Sequence, residues 1–102
     1  MSVETKGQIF EQVRGSASAL HALGVQRVGL FGSFAKGLQG PDSDVDLLVE
    51  FRPGQKSFDN FMDVSFLLEE TLGRKVDIVT PESLSPYIGP KILAEVEYGL
   101  ID

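Results

Sequence analysis

The sequence predicts a small α/β (α+β) fold, a sheet of three or more strands flanked by helices. Three observations predict it. Apolar residues recur at helical spacing in two long stretches. Three short runs rich in Val, Leu, Ile and Phe are bounded by glycine, proline or aspartate. The patterns follow one another in the order helix, strand, strand, helix, strand, helix. With 102 residues and no repeat, low-complexity tract or linker, the expectation is one domain over residues 1–102.

Taken in order, Ile9, Val13, Ala17 and Leu20, with Phe10 and Leu23 beside them, fall on one face of a helix from about Glu4 to Leu23. Gly24 stops it, while Gly7 and Gly15 each weaken its interior by about 1 kcal/mol relative to alanine. Arg27 to Phe31 is a short strand ending at Gly32, with room for a helical turn before the turn-forming stretch Gly37 to Asp42. Asp44 to Phe51 reads as a strand entering a buried sheet and closing at Arg52-Pro53-Gly54. From Ser57 to Leu72 the spacing predicts a helix. Ser57 or Asp59 caps it, Phe58, Phe61, Met62, Ser65, Leu68 and Leu72 repeat along it, and Gly73 ends it. Arg74 to Thr80 is a third strand closed by Pro81, and a short helix from about Lys91 to Tyr98 follows Pro86, Gly89 and Pro90.

Composition excludes several functions. Nine Lys and Arg against 15 Asp and Glu leave a net charge of -6, which argues against an extended nucleic-acid-binding face. The absence of cysteine removes disulfides, thiol nucleophiles and zinc–thiolate sites, and the single histidine, His21, cannot form a histidine metal cluster. No apolar run approaches the roughly 20 residues of a membrane span. The start of the chain lacks a signal-peptide pattern, so the expected location is cytoplasmic. A chain this short has a thin stability margin, and self-association into a homo-oligomer is one way to widen it.

Three aspartates occupy unusual places. Asp44 and Asp46, two apart on a predicted strand, point to the same face, and Asp77 lies inside another strand between Val76 and Ile78. If those strands are neighbours, the three carboxylates converge, and unpaired they raise one another's pKa. Lys36, Arg52, Arg74 and Lys75 are the nearby cations that can offset them. A divalent cation does so more simply, and oxygen-only ligands suit Mg²⁺ or Mn²⁺. Two such ions, roughly 3.5–4 Å apart, clamp an in-line displacement at phosphorus. The plainer alternative is that Asp-x-Asp at a strand start is a solvated edge or a turn cap.

The second element is Gly32-Ser33-Phe34-Ala35-Lys36-Gly37, directly after the first strand. Glycine at a strand end lets the backbone approach a ligand, and the residues that follow can present free N–H groups to an anion. Ser33 adds a hydroxyl and Lys36 a positive charge, which together make a phosphate cradle. A tight turn without a ligand is the alternative. Neither the Walker A spacing nor the dinucleotide-binding glycine fingerprint is present.

Together, Gly32-Ser33, then ten residues, then Asp44-Val45-Asp46, then Asp77 on a later strand, resemble the DNA polymerase beta–like nucleotidyltransferase superfamily. Within it the chain is similar to the minimal nucleotidyltransferase (MNT) antitoxins that pair with HEPN-domain toxins. The resemblance runs from Val28 to Gly37, from Ser43 to Phe51 and from Leu72 to Val79, and with the flanking helices it covers most of the chain. It implies that superfamily's fold, with a small mixed sheet. It further implies that Asp44, Asp46 and Asp77 are catalytic and hold two Mg²⁺ ions, and that Gly32 and Ser33, supported by Lys36, bind the outer phosphates of ATP. Lys36 departs from the family's usual arginine and so lacks its planar fork. The implied reaction transfers AMP to a hydroxyl, a tyrosine of a HEPN toxin. The alternative is an antitoxin that neutralises its partner by occlusion with little or no catalysis. A third reading, transfer to a small molecule such as an aminoglycoside, requires acceptor-binding structure for which this chain has little room.

The remaining candidates are assigned plainer roles. His21 is expected to cap a helix end or face solvent. Phe58, Phe61, Met62 and Phe66 are expected in the core, with any exposed part a partner surface. Glu69, Glu70, Glu95 and Glu97 are expected on solvated helix faces, and Tyr87 and Tyr98 are assigned no role.

Overall fold

The elements form where local chemistry and burial agree. The computed structural model describes residues 2–101. Thr5 opens helix α1 (Lys6–Gly15) with a capping box, its hydroxyl accepting from the Gln8 amide while the Gln8 side chain accepts from the Thr5 amide. The single helix expected from Glu4 to Leu23 is instead two. Ser16 leaves helical geometry directly after Gly15, and α2 (Ala17–Ala22) starts afresh. The break has a packing reason, because α1 lies against α4 and β4 whereas α2 lies against β1. Val13 and Leu20 are thereby both fully buried.

Strand β1 (Val25–Phe31) leads into the short helix α3 (Gly32–Lys36), which fills the room left for a helical turn. Strand β2 (Val45–Phe51) starts one residue later than expected, so Asp44 precedes the strand rather than lying in it. Helix α4 (Phe58–Leu72) begins where Ser57 accepts from the Asn60 amide and ends at Gly73, whose φ of 67° suits glycine. Its buried face is Val64, Leu68 and Leu72. Phe58 and Phe66, expected inside, are 77% and 60% exposed. The stretch is apolar on more than one side, so periodicity alone could not select the buried side.

Strand β3 (Val76–Val79) is followed by a 3₁₀ turn (Pro81–Ser83), helix α5 (Gly89–Glu95) and strand β4 (Glu97–Ile101). The predicted helix to Tyr98 therefore gives way at Val96 to a strand that sequence reading missed. Beside β1, β4 buries Leu100 and Ile101, a gain that exists only once β1 is in place. Glu97 accordingly lies on β4, where Lys6 pairs with it at 3.1 Å.

The sheet order is β3-β2-β1-β4, with β2 and β3 parallel and the other pairs antiparallel. On one face Val28, Leu30, Val45, Leu47 and Val49 join Ile9, Val13, Leu20, Val64, Leu68 and Leu72 in the core. By the alternation of a strand, Asp46 lies on the other face. Among the described residues no helix is long and apolar enough to cross a membrane.

Candidate active site

Strand register builds the acidic site. Phe31 of β1, Asp46 of β2 and Asp77 of β3 lie in one row across the sheet. Asp46 and Asp77 are direct partners on parallel strands, which run about 4.8 Å apart. Asp44 lies two residues before Asp46 and faces Lys75 at 3.8 Å. Asp77 is exposed, while Asp44 and Asp46 are half-buried.

Asp46 is the electrostatic centre. Burial first, then the charges of Asp77 and Asp44, push its carboxyl above the ordinary value of 3.8. Among the described residues no cation pairs with Asp46 or Asp77, and Lys75 reaches only Asp44. Among the described residues, the negative charge gathered at Asp46 and Asp77 therefore has no paired counter-charge. The donors are all carboxylate oxygens, a set that fits a hard divalent cation such as Mg²⁺ or Mn²⁺. The side chains do not form a closed cage: among the described residues no group of three or more His, Cys, Asp or Glu is gathered so as to hold a metal ion.

Gly32 is tied to this row directly. Its φ is +77°, and a Cβ placed on it would run into the Asp46 carboxylate. Glycine here thus does two things. It turns the chain from β1 into α3, and it leaves the space that the Asp46 carboxylate occupies. The sequence led us to expect a ligand's approach at Gly32 and did not anticipate that of Asp46. Ser33 follows, half-buried, and its carbonyl accepts from the Leu38 amide at 2.9 Å. The structure thus brings Gly32 and Ser33 to the Asp46 end of the sheet. It turns Lys36 elsewhere, since its ammonium pairs with Glu95 of α5 at 3.3 Å, and Glu95 is not the purely solvated acid expected.

Two other cations considered as neutralisers are also engaged away from the acids. Arg52 donates to the carbonyls of His21 and Val25, while the His21 ring contacts the Val25 carbonyl at 3.0 Å near the end of α2. Arg74 donates to the carbonyls of Gly40, Pro41 and Ser43 in the loop before Asp44 and to that of Val3. The clue available in the sequence was its position between a helix stop and a strand start, and that clue did not reveal the contacts.

A row of uncompensated acids beside a glycine-serine turn defines a class of protein. The chain belongs to the nucleotidyltransferase domain family, whose model matches residues 11–98. Within it, the chain is of the minimal nucleotidyltransferase type found in MNT antitoxins, and it is a nucleotidyltransferase. It is 43% identical over 72 residues to a Methanocaldococcus jannaschii protein assigned as a protein adenylyltransferase, covering 71% of this chain and 76% of that one. It is 41% identical over 75 residues to the protein adenylyltransferase MntA of Thermococcus cleftensis, covering 74% and 75%. A solved structure assigned as a minimal nucleotidyltransferase superposes with a TM-score of 0.82 at 32% identity, covering 95% of this chain and 98% of that one. The same fold recurs, at 17% identity and a TM-score of 0.60, in a complex of a tri-AMPylated Shewanella oneidensis HEPN toxin with an MNT antitoxin, covering 87% of this chain and 70% of that one.

Proposed function

We propose that the chain transfers AMP from ATP to a hydroxyl, a tyrosine, of a partner HEPN toxin and so acts as its antitoxin. One observation carries the reading. Asp46 is held between Asp77 and the Gly32 turn, and among the described residues no cation pairs with it. Such an arrangement costs stability and has a use only where a positively charged partner completes it. The relatives named as protein adenylyltransferases and the neighbouring toxin–antitoxin complex support the nature of the donor and acceptor.

In this reading Asp44, Asp46 and Asp77 hold divalent cations, Mg²⁺ with Mn²⁺ as an alternative. When bound, these would supply Lewis-acid neutralisation of the phosphates and of the developing phenoxide. The residues of the chain bind and orient. Gly32 and Ser33 receive the outer phosphates, and Lys36 turns from Glu95 towards them. Asp77, exposed at the sheet edge, faces the incoming hydroxyl. The acceptor O–H bond breaks, its proton passing to the Asp77 carboxylate and on to solvent, as the oxygen bonds to the α-phosphorus; the bond to the bridging oxygen breaks, and pyrophosphate leaves with the electron pair. Positioning and charge neutralisation account for most of the rate. The test is the mass of a co-expressed HEPN toxin. An ATP- and Mg²⁺-dependent gain of AMP is expected, and a gain that persists in an Asp44→Asn, Asp46→Asn protein would reject the mechanism.

A second reading, neutralisation by occlusion, is favoured by Phe58 and Phe66, which stand exposed on α4 near Asp59, Asp63 and Glu70. An apolar ridge with acidic neighbours suits a partner surface that carries basic residues around an apolar groove. Rescue of toxin-expressing cells by the same double variant would favour this reading over catalysis.

A further inference from the structure

We infer that Arg74 is a positioning residue for the acidic site: its guanidinium fixes the loop 40–43 and with it the point at which Asp44 meets β2. The inference rests on the metal-dependent reading above. Between Gly37 and Asp44 the chain is a turn-rich loop that contributes no residue to the buried core. Its internal ties are few: the Gly40 amide donates to the Ser43 hydroxyl at 2.8 Å and the Ser43 amide to the Gly40 carbonyl at 3.2 Å.

Gln39 adds a tie from its side-chain amide to the Glu4 carbonyl at 3.1 Å, and the Leu38 amide one to the Ser33 carbonyl at 2.9 Å, but at residues 40–43 it is Arg74 that holds the loop to the rest of the fold. Its Nη1 donates to the carbonyls of Gly40 at 3.3 Å, Pro41 at 2.9 Å and Ser43 at 2.9 Å. Its Nε donates to the Val3 carbonyl at 2.7 Å, and its guanidinium stacks 5.1 Å over the ring of the fully buried Phe34. One side chain thus joins the N-terminal segment, α3 and the loop. The next residue, Lys75, receives the Val45 amide at 3.0 Å through its carbonyl. Asp44 is therefore held from both sides, with Ser43 bound to Arg74 and Val45 bound to Lys75.

Among the described residues no carboxylate pairs with Arg74, so its donors serve carbonyls and its role is geometric rather than neutralising. Geometry and charge can be separated because lysine retains the charge but lacks the planar fork that reaches several carbonyls at once. Partners hydrogen-bonded to a metal ligand itself typically change metal affinity by about 10–100-fold when removed; Arg74 bonds the residue before Asp44, which sets the expectation at the lower end of that range.

The test compares wild type, Arg74→Lys and Arg27→Met as full chains. The last removes an arginine that is also ion-paired and ring-stacked, but far from the loop. Mn²⁺ alone is titrated by electron paramagnetic resonance, and amide hydrogen exchange is followed at residues 40–44. Arg74→Lys is expected to weaken Mn²⁺ binding about tenfold or more and to speed exchange in the loop, with Arg27→Met leaving both as in wild type. Wild-type Mn²⁺ affinity and unchanged exchange in Arg74→Lys would overturn the inference. If that variant does not fold, the Arg74 Nε–H signal of wild type decides: slow exchange with water supports the clamp, and fast exchange overturns it. Wild type that binds no Mn²⁺ would sink the metal reading instead, while the exchange data still decide whether Arg74 holds the loop.

Discussion

Asp46 shows how the placement of a single side chain can cost stability. Its carboxyl is raised above 3.8 by burial and by Asp77 and Asp44, so folding favours its protonated form. That contribution is fully present below about pH 3.8 and is lost as pH rises through the higher folded-state value. Asp46→Asn is therefore expected to melt at a higher temperature than wild type at neutral pH, with the difference closing as pH falls below about 3.8. Melting curves across that range check it, and added Mn²⁺ should raise the midpoint of wild type but not of the variant. Gly32 invites a paired comparison. Gly32→Ala and Gly37→Ala both place alanine at a φ above +70°, but only the former drives a Cβ into the Asp46 carboxylate. Urea unfolding should show about 1 kcal/mol lost at Gly37 and distinctly more at Gly32. The three acids stood out in the sequence as carboxylates on or beside apolar strands, and Gly32-Ser33 by its spacing from them. Arg74 did not, because a surface arginine acquires meaning only from the carbonyls that the folded loop turns towards it.

Local chemistry predicted the ends of α4 well, since Ser57 and Gly73 act within one turn of themselves. Its buried face was less legible, because Phe58, Met62 and Phe66 compete with Val64, Leu68 and Leu72 for the same periodicity. Substitution separates the two sides: Leu68→Ala should cost about 2–5 kcal/mol through the cavity it leaves, whereas Phe66→Ser should change stability by only about 0.5 kcal/mol. Chemical denaturation of both proteins gives the comparison. Equal losses would mean that Phe66 is buried in solution, against its exposure here and with it the partner-surface reading. The first helix follows the same rule in reverse. Its apolar face was read correctly as buried, but the break at Ser16 answers to two packing partners, β4 with α4 for α1 and β1 for α2.

Across the whole molecule, the position of β4 matters more than its sequence signal. It closes the side of β1 away from β2, packs against α1 and contributes Leu100 and Ile101 to the core. A chain ended at Val96 is expected to lose cooperative thermal unfolding and to expose apolar surface, followed by calorimetry and dye binding. A cooperative transition near that of the full chain would show that the strand is dispensable. The same sheet order places β2 between β1 and β3, which brings Asp46 beside both Phe31 and Asp77.

By itself the sequence determined most of the elements and their ends, the acids, and the glycine-serine turn, because capping, turn chemistry and periodicity act over a few neighbouring residues. Only the tertiary structure decided that β2 and β3 run parallel in a register joining Asp46 to Asp77, that a fourth strand closes the sheet, and that Arg74 holds the loop before Asp44. Those features depend on contacts between residues distant along the chain, and their free energy does not exist until the partners have met.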